Sequence, residues 1–172
     1  NRWLAIVCDW AAAQLRNAPR DNPPAALART VRLADVERLL PALKPLTQQA
    51  FAFVQQRLQV FPPVLTHGDF HPGNICTGGV IDLEMAHWSV AGYDVVTGLL
   101  ENDLFPPEPT DYAYSADQLE GACAAIDHLF QTYGLPPPST YAADFRLCRM
   151  MRIVELAEKR PPAVQQWIQQ RY

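Results

Sequence analysis

Sixteen prolines, most of them in runs, limit the length of every regular element this 172-residue chain can build. Proline removes an amide donor and steers the residue before it out of the helical region, so each run closes one element before the next begins. Between the runs, apolar periodicity says what each segment forms. Trp3, Ile6, Val7 and Trp10 recur at helical spacing and predict an amphipathic helix reaching about Leu15. NAPRDNPPAA, which follows, is a loop. Pro41 and Pro45 leave a short helix around Val36 to Leu40 and a longer one from about Leu46 to Leu58, with Phe51, Val54 and Leu58 facing inward. VFPPVLT turns extended, and Val64 and Leu65 favour strand.

The middle of the chain changes character. NICTGGVIDLE predicts two short strands, Ile75 to Thr77 and Val80 to Leu83, joined by Gly78-Gly79 as a two-residue hairpin turn. Tyr93 to Leu104 is helical again, with Val96, Leu99 and Leu100 on one side. ENDLFPPEPTDYAY is an acidic, proline-rich loop. Ser115 with Gln118 three residues on predicts a capping box that opens a helix carrying Leu119, Cys123, Ile126 and Phe130 and stopping at Gly134. After LPPPST a helix is expected over about Tyr141 to Lys159, and Pro161-Pro162 precedes a last one ending near Tyr172. The expected fold is one domain over residues 1–172, mainly α with a small β-hairpin (α+β).

Charge and composition exclude some classes of partner. A net charge of −4 supplies no basic stripe for a nucleic acid or an acidic membrane surface. No apolar run approaches bilayer-spanning length, and the N-terminal stretch has no signal-peptide pattern, so a cytoplasmic location is expected. Cys8, Cys76, Cys123 and Cys148 form no CxxC pair and read as small core residues in a reducing compartment.

The densest chemistry lies in THGDFHPGN, from Thr66 to Asn74, directly after the predicted strand. His67, Asp69, His71 and Asn74 crowd around Pro72 and Gly73, as in a rigid polar loop. A histidine, any residue, an aspartate and then an asparagine five further on is the kinase catalytic-loop spacing, with Gly68 where arginine stands. On the following hairpin, VIDLE offers Asp82 where the same pattern has its second metal-binding acid. Phosphoryl transfer needs a hydroxyl aligned with the γ-phosphate and charge neutralised on its oxygens. Asp69 is suited to accept the hydroxyl proton; Asn74 and Asp82 are hard oxygen donors of the kind magnesium prefers.

Over Val64 to Val96 the chain resembles the C-terminal lobe of the aminoglycoside phosphotransferase and choline kinase family, protein-kinase-like enzymes that phosphorylate small molecules. THGDFHPGN is close to that family's catalytic loop (residues 66–74), and VIDLEMAHW followed by YDVV is similar to its metal-binding segment, here the hairpin of residues 75–84. The resemblance implies ATP as phosphate donor, Mg2+ as cofactor and a small hydroxyl-bearing substrate. It implies Asp69 as catalytic acid/base, Asn74 and Asp82 as magnesium ligands and Asp94 as a buried structural acid. Two departures stand out: the hairpin between Asn74 and Asp82 is short for the family, and SVAGYD lacks the Gly-Asp-Pro that often precedes its Tyr-Asp. The family's N-terminal lobe brings a glycine-rich nucleotide loop and a strand lysine. Only Lys44 and Lys159 are present here, and neither sits in such a setting. The chain, opening on Asn1, is therefore expected to be a fragment whose N-terminal lobe is absent, inactive by itself.

Several residues carry subsidiary expectations. His67 is expected to scaffold the loop, and His71 to stiffen it or wall the phosphates. Glu84 would share a strand face with Asp82 and offer a second metal contact. His87 and Trp88 either line the substrate cleft or pack at the surface. Glu101, Asp103, Glu108 and Asp111 form an acidic cluster that would attract a cationic substrate or simply be solvated. Two other classes stay open. His67, Asp69, His71, Asp82 and His87 would suit a zinc or manganese hydrolase, and a noncatalytic kinase-like binding module would keep the lobe without the chemistry.

Overall fold

The computed structural model describes residues 2–19, 30–100, 115–156, 162, 163 and 166. Helix α1 (Arg2–Arg16) opens the chain and buries Val7, Ala11 and Leu15 at helical spacing. Helix α2 (Leu33–Leu39) and helix α3 (Lys44–Leu58) follow, joined by a 3-10 turn at Pro41–Leu43. Pro45 sits in the first turn of α3, where no amide donor is required, and so starts that helix rather than breaking it. Phe51, Val54 and Leu58 are buried, as their spacing predicts.

Strand β1 (Pro63–Thr66) leads into the polar loop, which closes with a 3-10 turn at Pro72–Asn74. Strands β2 (Ile75–Cys76) and β3 (Gly79–Val80) form an antiparallel hairpin, with Ile75 opposite Val80 and Cys76 opposite Gly79. The turn is therefore Thr77-Gly78 and not Gly78-Gly79, and the second strand ends at Val80 rather than Leu83. The cause is the register: the Ile81 amide donates to the Asn74 carbonyl at 3.0 Å, which fixes Val80 against Ile75. A further 3-10 turn (Leu83–Met85) precedes strand β4 (His87–Val90), which the sequence reading did not anticipate. It pairs antiparallel with β1, Pro63 opposite Val90 and Thr66 opposite His87. The ends of the polar segment are thereby stitched together.

Helix α4 (Tyr93–Leu100) follows, then α5 (Ala116–Thr132) and α6 (Ala142–Leu156). Ser115 and Gln118 make the predicted reciprocal cap at the start of α5. Helices α2, α3 and α4 pack on α6, while α1 lies against α5, β1 and β3. The helical majority with two small antiparallel sheets is the α+β class expected. The cysteines are less uniform than expected: Cys148 is buried and Cys8 and Cys123 half-buried, but Cys76, in the two-residue strand β2, is exposed. No helix among the described residues is long and apolar enough to cross a membrane. The acidic cluster Glu101, Asp103, Glu108 and Asp111, the side chains of Leu99 and Leu100, the end of the 17–26 loop and Lys159 lie outside the described residues. The predicted last helix is described only at residues 162, 163 and 166, which are helical.

Candidate active site

The loop after β1 is anchored from below by one buried carboxylate. Asp94, in the first turn of α4, accepts the backbone amides of His67 at 2.7 Å and Gly68 at 3.1 Å. Trp10 Nε1 at 2.9 Å and Gln14 Nε2 at 2.8 Å, both from α1, complete its partners. The position near a helix N-terminus further favours the negative charge. Gln14 also donates to the Leu65 carbonyl at 2.9 Å, so α1 holds both the strand and the carboxylate that holds the loop.

His67 has no exposed surface and fastens the loop internally. Its Nδ1 accepts the Asp69 amide at 3.3 Å, and its Nε2 donates to the Ile81 carbonyl at 2.7 Å. Accepting at one nitrogen and donating at the other is the pattern of a neutral imidazole. The ring sits edge-on to Trp10 and Phe70, which stack with each other at 6.1 Å. The scaffold role expected for His67 is the one its contacts describe. Gly68 explains the departure from arginine: its φ is +82°, and a Cβ there would strike the Met85 carbonyl and come within 2.7 Å of His87 Nδ1.

Asp69 stands at the tip of this scaffold with its side chain 37% exposed. Asn74 donates from Nδ2 to the Asp69 carbonyl at 3.0 Å, so the two predicted residues meet directly. His71 stiffens the turn by accepting the Gly73 amide at Nδ1, and its Nε2 lies 3.7 Å from Asp69 Oδ2. Asp82 follows the residue bonded to both Asn74 and His67, so its backbone is tied to the same loop. Its φ of 62° makes it the one non-glycine residue in left-handed conformation among the described residues. Such strain persists where surrounding contacts impose it, often at functional sites. Because Asp82 is a left-handed residue entering a 3-10 turn, the strand-face argument for Glu84 fails: Glu84 lies within that turn, exposed.

His87 and Trp88 are not a pair. Neighbouring strand residues face opposite ways, and the half-buried His87 ring turns toward Tyr93 while Trp88 lies exposed opposite Leu65. Burial holds His87 below the ordinary imidazole range, with Arg152 and Arg149 adding to that against the Met85 carbonyl and Asp94. Its Nδ1 donates to Met85 O at 2.8 Å. His67 and His87 thus spend ring nitrogens on backbone carbonyls. Among the described residues no group of three or more His, Cys, Asp or Glu is arranged to hold a metal, so the zinc or manganese cluster is not formed.

Three contributors escaped the sequence reading: Trp10 and Gln14 as partners of Asp94, and Arg149, which donates to the Gly68 carbonyl at 3.1 Å. The available signal was a polar residue on a buried helix face. Gln14 shares the α1 face with Val7 and Ala11, and Arg149 lies beside Phe145 and Cys148 on α6. Comparison with known protein families matches residues 5–133 to the phosphotransferase enzyme family, a span that takes in most of α1, the polar loop after β1 and the Asp82 segment. No curated protein and no solved structure matches the chain. With three quarters of its length matched, and the matched part containing the loop built around Asp69, the chain belongs to the phosphotransferase enzyme family.

Proposed function

We propose that the chain is a protein-kinase-like catalytic lobe that moves the γ-phosphate of ATP to a hydroxyl of a small molecule, with Asp69 as the base and Asn74 and Asp82 as the magnesium ligands. The observation that carries this reading is the double tether at Ile81, whose amide meets Asn74 and whose carbonyl meets His67. Those two bonds hold the Asp82 backbone beside the loop that presents Asp69. In transfer, the acceptor oxygen attacks the γ-phosphorus, the bond to the bridging oxygen breaks, and ADP leaves with that electron pair. The acceptor's proton passes to an oxygen of Asp69. Its amide and carbonyl are both engaged, by His67 and Asn74, so the carboxylate is presented from a fixed backbone.

The donor set suits magnesium. Asn74 already uses its N–H on the Asp69 carbonyl, which leaves the amide oxygen as a ligand, and Asp82 adds an exposed carboxylate. When bound, the ion would neutralise charge on the phosphate oxygens. The acidic residues Glu101, Asp103, Glu108 and Asp111 would favour a cationic acceptor by their charge.

Manganese serves as a paramagnetic probe of the ligand assignment. In the intact protein with ATP present, Asp82→Ala is expected to weaken Mn2+ binding by about tenfold or more, on the order of 1.4 kcal/mol, and to raise the magnesium concentration needed for turnover. Unchanged Mn2+ affinity would remove Asp82 from the ligand set and direct attention to Glu84.

A further inference from the structure

Arg149 lies on α6, beyond the segment matched to the family, and its side chain is only 10% exposed. Its Nη1 donates to the Gly68 carbonyl at 3.1 Å, and its Nη2 lies 3.6 Å from Asp69 Oδ1. The guanidinium therefore spans the peptide that bears Asp69, touching the carbonyl before it and facing the carboxylate after it. A buried guanidinium stays charged and holds a fixed plane, so it directs a neighbouring carboxylate more strictly than a flexible ammonium would. The Asp69 backbone is already fixed by His67 and Asn74, and the freedom that remains is rotation of its side chain. At 3.6 Å the contact with Oδ1 is an ion pair outside hydrogen-bond range, so it orients the carboxylate while leaving its lone pairs open to a proton.

We propose that Arg149 is a positioning residue that aims the Asp69 carboxylate at the acceptor hydroxyl, reaching the loop from a distant helix at the point where Gly68 replaces the arginine of the kinase pattern. The inference rests on the reading of Asp69 as the base. Its effect belongs to the step in which the proton is taken. Nucleotide and metal binding should be nearly indifferent to it.

The test uses the intact protein with Mg-ATP as donor and water as acceptor, followed by phosphate release, with Mn2+ binding measured alongside. Arg149→Ala is expected to lower kcat about 10- to 100-fold, as a misplaced catalytic group does, while KM for Mg-ATP stays within about twofold and Mn2+ affinity is unchanged. Added guanidinium ion should restore part of the lost kcat. Arg149→Lys keeps the charge but cannot span both contacts, and an intermediate kcat is expected. Wild-type kcat in Arg149→Ala, with Asp69→Asn inactive, would overturn this inference and leave the phosphotransferase reading standing. Loss of kcat together with Mn2+ binding, without rescue by guanidinium, would make Arg149 merely structural and overturn it too. If Arg149→Ala does not fold, Arg149→Lys decides: a reduced kcat at constant KM supports the inference, and a wild-type kcat ends it. Turnover retained by Asp69→Asn would remove the parent reading and this inference with it.

Discussion

Asp94 is 1% exposed, a cost an isolated carboxylate would not bear, and four donors from α1 and the loop after β1 make it tolerable. An amide in its place keeps the shape but turns an NH2 group toward donors and removes the charge that strengthens each bond. Asp94→Asn is therefore expected to cost about 2–4 kcal/mol in urea unfolding, and to reduce turnover because the His67 and Gly68 amides lose their anchor. Stability and turnover both at wild-type level would show that the loop is held by other means. The buried acid itself was legible, since YDVV carried it by resemblance. Its partners were not: Trp10 reads as one more member of an apolar stripe, and nothing in a helical period says which buried position its indole N–H will face.

Helices were the most readable elements, because capping and proline chemistry act within a few residues. The Ser115 and Gln118 side chains bond each other's backbone amides at 3.2 and 2.9 Å, as the four-residue pattern predicts. Ser115→Ala should lower thermal stability by about 1 kcal/mol without altering kcat, since the cap lies outside the site. A change in kcat would tie the start of α5 to catalysis. Strands were less readable. Strand β4 pairs with β1 across the whole polar segment, and its partner register depends on contacts distant in sequence. The hairpin misjudgement has the same origin: Gly78-Gly79 is a good local turn, but the bond from Ile81 to Asn74 moves the turn back by one residue and sets Val80, not Asp82, opposite Ile75. That shift is also what takes Asp82 off the strand, so the site's geometry was less visible than its residue list.

At the scale of the molecule, the polar segment rests on a helical body whose core converges on Phe61, just ahead of β1. Phe61 is 2% exposed and packs against Phe130 of α5, Phe145 of α6 and Tyr141 between them, at ring distances of 5.9, 5.6 and 5.1 Å. Phe61→Ala should cost about 3–5 kcal/mol, and a chemical denaturation midpoint unchanged from wild type would disprove that convergence. The body gives the loop its fixed frame: Gly98 of α4 lacks the Cβ that would collide with the Phe70 carbonyl, and α6 reaches back through Arg149. All of this framing bears on one carboxylate, so the account is tested most directly by measuring phosphate transfer from Mg-ATP in the intact protein with Asp69→Asn. The predicted result is a kcat lower by about two orders of magnitude or more, with Mg-ATP and Mn2+ binding nearly unchanged, as loss of a positioned base implies. Turnover close to wild type would contradict it.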